Sequence, residues 1–189
     1  TRFSHMYLNG ERFLPLDFLL GANNHTLKLT NLSDQSLERI GSQRDVTTLD
    51  LSGIDLAEEF RCRGNQISTR LGNIIRRNRS ITHFKLQNCN ISDDFFRELL
   101  MIFAHLRDAV HSLDVRGNQI RKVGNLGVLL ERCPRLTELH VPSNIPGLRE
   151  VFNRLEARKG RAVVNYNLQT VLAELLDVHN IINSEHNEK

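Results

Sequence analysis

One spacing recurs along this chain and limits what the chain can become. Within a stretch of eleven residues, apolar side chains take the first, fourth, sixth and eleventh places, and Asn or Cys takes the ninth. ITHFKLQNCNI (81–91) puts Ile81, Phe84, Leu86, Cys89 and Ile91 in those places. VHSLDVRGNQI (110–120) does so with Val110, Leu113, Val115, Asn118 and Ile120. LTELHVPSNIP (136–146) keeps Leu136, Leu139, Val141 and Asn144, with Pro146 last. VTTLDLSGIDL (46–56) matches at every apolar place but carries Ile54 at the ninth, and HTLKLTNLSD (25–34) keeps Leu27, Leu29 and Leu32. Self-similarity of this kind predicts a stack of like units, each burying its apolar side against the next.

The spacing has a physical reading. Alternation of apolar and polar residues predicts a short strand with one buried face. An Asn at the ninth place can satisfy backbone groups of the adjoining turn, and Cys89 there reads as a small buried hydrophobe with a weak donor. Between the strands the period becomes helical. ISDDFFRELLMIFAHL (91–106) aligns Phe95, Phe96, Leu99, Leu100, Phe103 and Leu106 on one face, with Ser92 as N-cap and Asp93 and Asp94 in the first turn. Helices are also predicted over 67–77 (Ile67, Leu71, Ile74, Ile75), 121–133 (Val123, Leu126, Leu129, Leu130, Cys133) and 146–160 (Leu148, Val151, Phe152, Leu155).

These stretches resemble the leucine-rich-repeat family over residues 25–158. The middle apolar places fall at 27, 49, 84, 113 and 139, in steps of 22, 35, 29 and 26 residues, similar to the long, ribonuclease-inhibitor-like form. The resemblance implies an α/β solenoid of about five repeats, a short curved arc with parallel strands on the concave face and helices on the convex face. It also implies a non-catalytic module that binds another protein through the concave face. LGNIIRRNRSITHFKL, through Leu71, Ile75, Asn78, Ile81 and Phe84, is similar to long-type repeats of GTPase-activating and actin-regulating proteins. No activity-bearing residue of those proteins finds a matching motif here.

The pentapeptide RGNQI occurs at 63–67 and at 116–120. The second copy belongs to a full repeat. The first follows Leu49 too closely for another strand, so it reads as a turn before a helix from Ile67, within an irregular, arginine-bearing bulge at 57–66. Residues 1–24, with the apolar FLPLDFLLGA (13–22), are expected to cap the front of the stack. Residues 159–189 are expected to cap the back, with a strand at 161–166, a helix at 167–182 capped by Asn167 and a fraying NSEHNEK tail.

Composition narrows the function classes. The 189 residues include no Trp and two Tyr, so there is no stacking platform for single-stranded nucleic acid. A net charge of +3 is a mild bias, and nucleic acid is not the expected partner. The cysteines, Cys62, Cys89 and Cys133, are odd in number and widely spaced, which points to a reducing compartment and a cytoplasmic location. No apolar run approaches the ~20 residues a membrane span needs. No secretory signal is evident, and a start at Thr1 is compatible with a piece of a larger chain. No nucleophile elbow, P-loop or zinc-protease motif occurs, so neither catalysis nor a cofactor is expected.

Candidate binding residues come from aligning the repeats. The place between the two strand apolars holds Lys28, Asp50, Lys85, Asp114 and His140, a ladder of mostly alternating charge once the strands pair. A second column holds Thr48, His83, Ser112 and Glu138, and a third holds Ser52, Gln87, Arg116 and Pro142. This strip reads either as a solvated face with weak ion pairs or as a recognition surface for a protein partner. The partner-binding set is Asp50, His83, Lys85, Gln87, His111, Asp114, Arg116, Glu138 and His140. Its histidines occupy different columns, so no metal site is expected. A second candidate is the basic cluster Arg61, Arg63, Arg70, Arg76, Arg77 and Arg79. It reads as cations complementing a helix C-terminus, or as a site for an acidic partner, phosphoinositide or RNA.

Overall fold

The computed structural model describes residues 5–8, 11–12, 25–106, 108–142, 144–159 and 168–187. Five β–α units follow one another. Strand β3 (Thr26–Lys28; β1, His5–Leu8, and β2, Glu11–Arg12, lie earlier in the chain) leads to α1 (Asp34–Ser42), and β4 (Thr48–Asp50) to α2 (Leu56–Arg63) and α3 (Asn65–Arg77). β5 (His83–Lys85) precedes α4 (Asp93–His105), β6 (Ser112–Asp114) precedes α5 (Val123–Arg132), and β7 (Glu138–Val141) precedes α6 (Leu148–Lys159). The five strands pair in sequence order, each parallel to the next, with Leu27, Leu49, Phe84, Leu113 and Leu139 in register. All five of those side chains are buried in one apolar core with the inner faces of the helices. The chain is thus an α/β protein in which strand period two and helix period 3.6 bury one common layer.

Polar side chains lock the turns between units. Asn118, buried in the second RGNQI, accepts the N–H groups of Cys89 (2.9 Å) and Ile91 (3.0 Å) and donates to the carbonyls of Leu86 (2.7 Å) and Val115 (2.9 Å). Cys89 is fully buried and its thiol donates to the Leu51 carbonyl at 3.3 Å. Ser92 caps α4 through Phe95 N–H, and Asp93 accepts the backbone N–H groups of Arg121 and Lys122, tying α4 to the start of α5. Every residue of the expected α4 stripe is buried.

The two RGNQI copies differ as expected in role but not in detail. The stretch predicted as an irregular bulge is helix α2, whose Phe60 stacks edge-on against Phe95 at a centroid distance of 5.0 Å. Only Gly64 (φ 62°) interrupts it, and the helix resumes at Asn65 rather than Ile67. Gly117 also has positive φ (71°), and a Cβ there would fall 1.9 Å from Asn88 Oδ1, so glycine is needed for space as well.

Three further features differ from expectation. In the last unit Asn144 and Pro146 are exposed and Ile145 is buried instead, so the ninth-place Asn makes no buried ladder there. Strand β1 (His5–Leu8) pairs in parallel with β7, and β2 (Glu11–Arg12) pairs antiparallel with β1. The described part of the front segment therefore joins the far edge of the sheet, while β3 is the opposite edge. Helix α7 (Leu168–Asn187) packs against both α5 and α6, and it runs through most of the tail expected to fray. The segments 13–22 and 161–166, expected as front apolar cover and last strand, lie outside the described residues.

Candidate functional site on the open strand face

Helices cover the sheet face that carries Leu49 and Phe84, and the alternate residues of each strand project from the other face. Pairing brings the expected columns into register: Lys28 beside Asp50, Asp50 beside Lys85, Lys85 beside Asp114, and Asp114 beside His140. Thr48, His83, Ser112 and Glu138 align likewise.

Alignment does not mean that neighbours bond. Lys28 Nζ reaches Asp50 Oδ1 at 3.3 Å, and the same oxygen accepts the Ser52 N–H at 2.9 Å. Asp114 repeats that turn: its Oδ1 accepts the Arg116 N–H at 3.2 Å, the Arg116 guanidinium grips both carboxylate oxygens, and Gln87 Nε2 donates to Oδ2. A strand-end Asp that accepts the amide two residues on is a local Asx turn, so both carboxylates are held by their own backbone. Burial works to raise both carboxyls. The bonds from Ser52 and Lys28, and those from Arg116 and Gln87, outweigh it and hold both below the usual carboxylate range.

Asp114 is only 5% exposed, and Thr48 and Ser112 are buried too. The centre of the strip is therefore covered rather than solvated, contrary to the reading of all these places as solvent-facing. Lys85 is the exception. It is exposed, it stands between two committed carboxylates, and it makes no ion pair among the described residues.

Further along the strip, His140 Nε2 lies 2.6 Å from Glu138 Oε1, and His83 Nδ1 lies 2.8 Å from Thr82 Oγ1. Burial lowers the His83 pKa; Glu138 opposes that shift and His111 adds to it, which places the three in one electrostatic neighbourhood. Among the described residues no three His, Cys, Asp or Glu side chains gather as metal ligands. Lys28 and Ser52 complete this site although the predicted set omits them. Their signal was present in the columns, but only the side-chain geometry shows that they fasten Asp50.

The basic cluster divides in two. Arg61 pairs with Glu58, Arg63 with Glu59 and Asp34, and Arg70 with Asp34. Arg76, Arg77 and Arg79 have no carboxylate partner among the described residues; Arg76 meets only the Asn73 amide, at 3.5 Å. Half of the expected anion site is thus neutralised by carboxylates on α1 and α2.

Among the described residues no helix is long and apolar enough to cross a membrane. No family model matches the chain, and no curated protein and no solved structure matches it.

Proposed function

We propose that the chain is a leucine-rich-repeat module that binds another protein through the open, concave face of its sheet and catalyses no reaction. Five parallel β–α units with their middle apolar residues in register, and an Asn–Cys ladder at the turns, support that architecture. The observation that carries the function is Lys85. Its ammonium is exposed at the middle of a strip whose Asp50 and Asp114 carboxylates are already bonded elsewhere, so a partner carboxylate can take it at no cost to the fold. Arg116, Glu138 and His140 extend the same surface on one side and Lys28 on the other.

The test is affinity capture with quantitative mass spectrometry. Lys85→Glu is expected to lose the partner, while Glu38→Lys, on the exposed side of α1, retains it. Equal recovery by Lys85→Glu and the wild-type chain would remove this face as the binding surface.

A further inference from the structure

A second surface lies on the helix layer, between α3 and α4. The side that α3 turns towards α4 carries the small residues Ser68 and Gly72, spaced four apart and therefore on one face, with Gly64 at the break just before the helix lining the same side. At Gly72 the two helices touch: a Cβ built there would stand 3.5 Å from Ile102 Cγ2. Around that contact an open cleft of about 530 Å³ remains, with Phe60 and Ile102 as apolar lining. It extends from Gly64 to Arg76, or ~18 Å of helix axis.

Two features of its rim are otherwise unexplained. Met101, a large apolar side chain lining the cleft, is 55% exposed. Two guanidiniums flank the same region. Arg76 and His105 line the cleft from the last turns of α3 and α4, and the guanidinium of Arg132 on α5 lies 3.3 Å from Met101 Sδ. Neither Arg76 nor Arg132 has a carboxylate partner among the described residues, whereas Arg77 lines a separate groove along α3. Glu98 is the only carboxylate among the described lining residues, and Arg76 with the adjoining Arg132 outnumbers it at this rim.

We infer that this cleft docks an acidic amphipathic helix of a partner protein, about three turns long. Small residues on α3 let a helix backbone approach closely, Met101 and Ile102 offer an adaptable apolar contact, and Arg76 and Arg132 receive carboxylates at one end. The cleft is an open trough rather than an enclosed chamber, which suits a helix better than a small molecule. This surface is separate from the strand face and can be occupied together with it.

The experiment selects binders from a displayed library of helical peptides about twelve residues long against the full chain. Enriched peptides are expected to carry one apolar face and several Glu or Asp. Their affinity should fall about tenfold or more with Arg76→Glu, and likewise with Ser68→Leu, which fills the trough. Both positions are outside the core, and unchanged thermal midpoints would show that the variants fold. Lys85→Glu should leave these peptides bound, which separates this site from the strand face. The inference is overturned if no peptide enriches, if enriched peptides ignore both substitutions, or if anionic phospholipid vesicles bind the chain through Arg76 while the peptides do not.

Discussion

The side-chain carbonyl of Asn118 accepts the backbone N–H of Cys89 at 2.9 Å, and so joins the turn of one β–α unit to the turn of the next. The same side chain serves Ile91, Leu86 and Val115, so removing it strands two buried donors and two carbonyls. Asn118→Ala is expected to lower unfolding free energy by roughly 3 kcal/mol. Asn144 occupies the matching place of the last unit but is exposed, and Asn144→Ala should cost less than about 0.5 kcal/mol. Urea titration of the pair checks both, and similar losses would show that Asn118 is not the lock described.

Glycine at the two RGNQI copies answers two different needs. Gly64→Ala meets no neighbour within 4 Å, but φ 62° with ψ −161° is a region essentially reserved for glycine, so backbone strain alone should cost about 1–3 kcal/mol. Gly117→Ala adds a clash with Asn88 and should cost about 2 kcal/mol or more. Asn88 itself has φ 53°, which glycine tolerates, so Asn88→Gly is expected to recover part of the Gly117→Ala loss. A double-mutant cycle in denaturant shows whether the two positions couple; strict additivity would contradict the contact.

Burial sets the pH response of His83. Its folded pKa lies below the ordinary 6.5, so the folded chain binds that proton less readily than the unfolded chain. Its effect is absent well above pH 6.5 and becomes a loss of stability as pH falls below that value. His83→Gln should therefore flatten the decline in thermal midpoint between about pH 6.5 and 5. An unchanged slope would mean that His83 does not carry it.

Asp114 gives a second window, at lower pH. Its folded pKa lies below the ordinary 3.8, so its stabilisation is complete above that value and disappears as pH drops through the folded pKa. Asp114→Asn is expected to cost roughly 2 kcal/mol at neutral pH and progressively less below about pH 4. A cost that did not shrink in acid would point to lost packing rather than lost charge.

The cysteines should separate by reactivity. Burial pushes the Cys89 thiol up to about 11 and the Cys133 thiol up to about 12, while Cys62 is exposed on α2. Alkylation near neutral pH should modify Cys62 alone, slowly because Glu58 raises its pKa too, and all three only in denaturant. Mass spectrometry of the alkylated chain reads this directly, and early labelling of Cys89 would contradict the closed turn.

Much of the strand layer was legible in the sequence because a period of two leaves few choices. With Leu49, Phe84 and Leu113 buried, the residues beside them must share a face, and register then aligns Asp50, Lys85 and Asp114. The α4 stripe and its Ser92 cap were legible for the same reason, since local sequence alone sets helix period and capping. Tertiary structure decided what depends on contacts between residues far apart in the chain. Arg116 and the local turn hold Asp114 from two positions away, but the further bond from Gln87 comes from 27 positions away, on the neighbouring strand's turn. Arg63 and Arg70 are neutralised by Asp34 of a different unit, which no local pattern announces. The place of β1 beside β7, the packing of α7 against α5 and the cleft beside Gly72 likewise arise from distant segments. Periodicity determined which side of each element is buried; only packing between units determined which of the outward charges are left for a partner.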